Sequence, residues 1–147
     1  MISETALLEK LPRGLFIGGE WVDGSRGTFP VQDPATGDTL VAIADASAED
    51  GIRALDAAVA AQDAWAATPA RTRSDILRRA FDLLQERADE FALLMTLEMG
   101  KPLAEARGEV TYGGEFLRWF SEEAVRIAGR YGMNPEGTGR MVVSQRP

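Results

Sequence analysis

Up to Ala44 the apolar and polar positions alternate in short runs broken by glycine and proline; from Ser47 the period lengthens to three and four. Leu15-Phe16-Ile17 and Glu20-Trp21-Val22 flank Gly18-Gly19, two residues that tolerate positive φ and so suit a tight hairpin turn. Thr28–Gln32 and Thr39–Ala44 form a second alternating pair around Asp33-Pro34-Ala35-Thr36-Gly37-Asp38. There Pro34 presets φ for a turn and Gly37 can adopt the left-handed conformation. The pattern predicts two small antiparallel hairpins.

Three to four helices are predicted after them. Ser47 with Asp50 three residues on is a capping box. Ile52, Leu55, Val59, Gln62 and Trp65 then keep helical spacing, so Trp65 is expected to be a buried anchor whose loss costs about 3–5 kcal/mol. Thr68-Pro69 reads as N-cap and first residue of the next helix, whose apolar positions run from Ile76/Leu77 to Leu94/Met95 with a break near Arg87–Asp89. Gly100 suits a helix end, and Pro102 opens a third helix. In that helix Leu103, Ala106, Val110, Gly113, Leu117, Phe120, Ala124 and Ile127 alternate spacings of three and four. Gly113-Gly114 in the middle weaken the helix and favour close packing inside a domain over a coiled coil. Tyr112, Phe116 and Trp119 form a second stripe, either another packing surface or the wall of a substrate channel.

Beyond the loop at Gly132–Gly137 the chain alternates again, with Met141 and Val143 on one face and Val142 and Ser144 on the other. The hairpin partner of this strand is expected after Pro147, so the 147 residues are expected to be the front end of a larger enzyme. A strand edge left open, together with uncovered helix faces, is expected to draw in partner chains.

Composition narrows the chemistry. Hydrophobic residues at 45% and charged residues at 27% are those of a globular protein, and the net charge of −7 argues against nucleic acid or an anionic membrane surface. No run approaches the roughly 20 apolar residues of a membrane span. The chain has no Cys and no His, which removes the thiolate nucleophile, the disulfide and the commonest general base and zinc ligand. A cysteine-free chain is compatible with a cytoplasmic location. Glu105 and Glu109, four apart, read as a solvent-facing pair without a third acid or a His. No catalytic, cofactor-binding or metal-binding residue emerges, and the glycines from Gly14 to Gly19 open no helix.

The order of the motifs nevertheless resembles a family. Leu15-Phe16-Ile17-Gly18-Gly19-Glu20-Trp21-Val22, then Asp33-Pro34-Ala35-Thr36-Gly37, then Thr96-Leu97-Glu98-Met99-Gly100-Lys101-Pro102 are similar to the start of NAD(P)-dependent aldehyde dehydrogenases. Ile76-Leu77-Arg78-Arg79, Ala104 to Val110 and Trp119 to Ala124 resemble the succinate-semialdehyde branch. The resemblance implies an α/β fold with residues 1–14 as an extension, 15–137 as the front of the cofactor-binding domain and 138–147 as the start of an oligomerisation arm. It implies an enzyme that oxidises an aldehyde with NAD or NADP, assembled as a homo-oligomer. The oxyanion Asn, the general-base Glu and the nucleophilic Cys of the family have no counterpart in this sequence, so the chain alone is expected to be inactive and to bind no dinucleotide. By the same resemblance Tyr112, with Glu109 and Phe116 a turn to either side, borders the substrate entrance. The reading from another class is a non-catalytic assembly module.

Overall fold

The computed structural model describes residues 3–146. It is an α/β arrangement of five helices and three separate two-stranded antiparallel sheets. β1 (Leu15–Ile17) and β2 (Glu20–Val22) pair around Gly18 and Gly19, whose φ values of 62° and 90° are those this turn requires. Phe16 faces Trp21 across the pair, with ring centroids 5.0 Å apart. β3 (Thr28–Gln32) and β4 (Thr39–Ala44) form the second hairpin, with an irregularity between Val31 and Gln32. Its connection closes as an Asx turn: the Ala35 N–H donates to Asp33 Oδ1 at 2.8 Å, and Gly37 sits at φ 80°.

The helices are α1 (Glu4–Lys10), α2 (Ala48–Ala67), α3 (Ala70–Glu86), α4 (Ala88–Met99) and α5 (Leu103–Glu123). α1 falls in a stretch where no element is predicted from the sequence; seven residues carry too few turns for a legible period. Its Leu7 is buried where α1 meets α4. The break near Arg87 is present, as that residue leaves helical geometry at φ −112° and ψ 18°. Pro69 and Pro102 each stand at the N-cap, one position before the site predicted for them. Gly100, at φ 70°, is the left-handed cap of α4.

α5 lies against both α3 and α4, and the core is built there from small side chains. Ala92, Ala106 and Val110 are buried, with Leu84, Ala88, Met95 and Leu103 packed around them. The buried line on α5 runs Ala106, Val110, Gly114 and Ser121, not through Gly113 and Phe120. A strict 3.5-residue repeat drifts about 20° per heptad on a straight helix of 3.6 residues per turn. The drift accumulates along the helix, so from Val110 on, Gly114 and Ser121 lie nearer the buried side than Gly113 and Phe120. A Cβ on Gly114 would stand 2.9 Å from Gln85 Nε2 and 3.5 Å from Leu84, whereas Gly113 has open space. The helix ends at Glu123, short of Ile127, which is exposed.

Asp50 carries the link between hairpins and helices. It is 1% exposed, and its carboxylate accepts from the Ser47 N–H at 2.8 Å, from the Ser25 N–H at 3.0 Å and from the Ser25 hydroxyl at 2.7 Å. Arg53 completes the set. The capping box is therefore also a clamp from the N-terminus of α2 to the loop between β2 and β3. These bonds, those to Ser25 first, hold the carboxyl well below the usual range.

Three expectations need correction. Trp65 is 46% exposed, and Ile52, Leu55 and Val59 face outward with it. α2 turns its alanines, Ala54 and Ala57, toward the β1–β2 turn instead, the hairpin that lies beside it. The terminal strand is not unpaired: β5 (Arg130–Met133) precedes β6 (Arg140–Val143) and pairs with it in register Arg130↔Val143 to Met133↔Arg140. Gly132–Gly137, predicted as loop, contains part of β5 because a glycine-containing run hides a two-residue alternation. The hairpins thus number three, not two.

Three substitutions test this account of stability. Gly113→Ala raises the denaturant midpoint by the equivalent of about 0.5–1 kcal/mol, since the helix gains propensity with nothing to clash; Trp65→Ala costs less than about 1 kcal/mol, as for a surface substitution. Asp50→Asn lowers the melting temperature at pH 7. A depressed folded-state pKa stabilises above the unfolded value of 3.8 and ceases to do so as pH falls toward the folded value. In acid titrations followed by circular dichroism, the wild type therefore loses stability more steeply below pH ~4 than Asp50→Asn does.

Candidate functional site

The second stripe of α5 is the most concentrated aromatic surface of the chain. Tyr112 and Phe116, four apart, meet edge to face with centroids 5.1 Å apart and planes at 88°. With Glu115, Trp119 and Phe120 they line an open groove of about 360 Å³. The four rings are each between 49% and 65% exposed. They share one face because helical residues three and four apart stack along it, and because the opposite side of α5 is spent on α3 and α4.

Of the residues singled out in the sequence, the structure brings Tyr112 and Phe116 together and places Glu109 beside them in a different role. Glu109 does not line the groove; its Oε1 accepts from Lys101 Nζ at 2.5 Å, tying α5 to the loop after α4. Glu115 and Phe120 were missed as lining residues. Phe120 reads as part of the packing seam, and the same drift that buries Ser121 rotates it onto the aromatic face. The signal for Glu115 is its place three residues after Tyr112 and between the aromatics. Its Oε2 accepts from Arg118 Nε at 3.0 Å and also from Nη2. That hydrogen bond and the Glu115 charge hold the Arg118 pKa above its ordinary value.

No group in the groove is arranged to attack or to move a proton. Its walls offer an apolar slot with a phenol and one paired carboxylate at the edge, which suits an aliphatic chain by shape and polarity. No group of three or more potential metal ligands occurs among the described residues. Nor do those residues fit a dinucleotide, whose pyrophosphate needs free N–H groups at a helix start after a glycine turn. The positive-φ glycines stand in hairpin turns, in loops and at the C-terminus of α4. The start of α2 is closed by its own capping box, and α3, α4 and α5 each follow a helix instead of the strand and glycine turn of a dinucleotide site.

This arrangement of hairpins and helices is one that known proteins share. Residues 21–147 match the aldehyde dehydrogenase family, and the chain belongs to that family. A succinate-semialdehyde dehydrogenase of Paenarthrobacter nicotinovorans is 62% identical over 108 residues, 74% of this chain and 24% of its own length. The NADP(+) succinate-semialdehyde dehydrogenase GabD of Escherichia coli K12 is 43% identical over 132 residues, 89% of this chain and 27% of its own length. Among solved structures, the succinate-semialdehyde dehydrogenase of Burkholderia pseudomallei superposes with a TM-score of 0.80 at 45% identity, over 86% of this chain and 26% of that one. The chain spans about a quarter of the length of these relatives. No helix among the described residues is long and apolar enough to cross a membrane.

Proposed function

We propose that this chain is the N-terminal part of an oxidoreductase that oxidises an aldehyde, succinate semialdehyde in the first instance, to its carboxylic acid with NAD or NADP as acceptor. The observation that carries the reading is the 62% identity to a protein named for that activity, joined to a family match over residues 21–147. The thiolate and the oxyanion donors that acyl transfer needs belong to the remainder of such an enzyme, since this chain has no Cys. Residues 1–14 then serve as an extension and 15–137 as the hairpins and helices flanking the cofactor-binding domain. Residues 138–147 begin an arm through which a cytoplasmic homo-oligomer assembles. The exposed Val142 of β6 supports that role, with Tyr131, also exposed, opposite it on β5.

Within this reading the aromatic face of α5 borders the substrate entrance, with Tyr112 and Phe116 as its wall and Glu109 held at its margin by Lys101. Steady-state assays of the full-length enzyme with succinate semialdehyde, glutarate semialdehyde and butanal, each with NAD+ and NADP+, test the assignment. Turnover is expected to be most efficient with succinate semialdehyde, and absence of aldehyde oxidation with every pair would sink it. Tyr112→Ala is expected to change KM or the preference among the three aldehydes by several-fold while kcat persists. Unchanged kinetics across all of them removes α5 from the entrance.

A further inference from the structure

We infer that Arg118 is a positioning residue that neutralises the acid of the aromatic groove, so that an aldehyde carrying its own carboxylate can approach. The inference rests on reading that groove as the substrate entrance. Among the lining residues Tyr112, Glu115, Phe116, Trp119 and Phe120, Glu115 is the one carboxylate. A bare negative charge beside an apolar wall repels a second one, and the wall weakens the screening that open water supplies. Arg118 meets that charge directly, with Nε at 3.0 Å and Nη2 both donating to the same Glu115 oxygen.

The pair does little for stability. Its side chains are 48% and 49% exposed, and half-exposed ion pairs three residues apart on a helix contribute little. Its consequence is the potential over the groove. The same pattern recurs one turn to the other side of Tyr112, where Lys101 holds Glu109. Both acids that flank Tyr112 at three residues are thus matched by a cation. Arg118 also feels Glu122 on its own helix, but Glu115 is the larger influence.

The test uses the full-length enzyme, with succinate semialdehyde as the anionic substrate and butanal as the neutral one. R118Q is expected to raise KM for succinate semialdehyde about three- to tenfold, the effect of one uncompensated charge at groove distance, with kcat and the butanal KM unchanged. R118K retains most of the wild-type value, E115Q/R118Q restores it, and the R118Q effect shrinks at ~0.5 M salt. E115Q alone, which leaves Arg118 free, lowers KM for the anion only. Equal changes for both substrates in R118Q mean a merely structural role and overturn the inference. So does a normal KM for both in R118Q when Tyr112→Ala still shifts aldehyde kinetics, an outcome that leaves the entrance reading standing. If neither Tyr112→Ala nor R118Q affects either substrate, the entrance reading itself fails and the inference falls with it.

Discussion

The line along which α5 meets α3 and α4 is the constraint on which the rest of the chain depends. It is made of residues too small to fill space by themselves: Ala92, Ala106, Val110 and Gly114. Small side chains let helix backbones come close, and what they lack in buried area they return in contact between the larger neighbours Leu84, Met95 and Leu103. Once one face of α5 is committed in this way, its aromatic residues have to point elsewhere. The exposed groove of Tyr112, Phe116, Trp119 and Phe120 is the geometric consequence of the core behind it.

The hairpins join this helical body by polar means. A buried carboxylate is costly unless every acceptor site is used, and Asp50 is surrounded by Ser25, Ser47 and Arg53. The cap of α2 and the anchor of the β2–β3 loop are therefore one group. That economy leaves α2 with few apolar contacts of its own, and Ile52, Leu55, Val59 and Trp65 stand outward as a second exposed surface. In a protein that spans about a quarter of its relatives' length, apolar helix faces of this extent belong with the proposal that the chain is part of a larger enzyme.

The ion pairs on α5 contribute little to the fold. Lys101–Glu109 and Arg118–Glu115 are both substantially solvated at the acid, so their energetic weight is small. They set the sign of charge around Tyr112, and charge near an entrance acts on which substrates approach and how fast. Under the function proposed above, cancelling the acids nearest Tyr112 would ease the approach of an anionic aldehyde to a chain of net charge −7.

The elements were legible in the residues where local chemistry decides: Gly18-Gly19 and Pro34 to Gly37 for the two first hairpins, Ser47 and Asp50 for the start of α2, Arg87 for the break between α3 and α4, and Gly100 for the end of α4. Each depends on the conformational range of one or two residues, which sequence states directly. The aromatic stripe of Tyr112 and Phe116 was legible for the same reason, as helical spacing alone puts them side by side. Which faces are covered was not. Periodicity says that Trp65 lies on an apolar face but not whether a partner stands against it, and it cannot distinguish Gly113 from Gly114 once a straight helix drifts away from a 3.5-residue repeat. Strand pairing escaped for a related reason: β6 finds its mate in the glycine-containing run before it, and the pairing is a fact of chain reversal in space. Local conformation is a property of the residues themselves; burial and pairing depend on what else the chain brings near, and only the tertiary structure decides that.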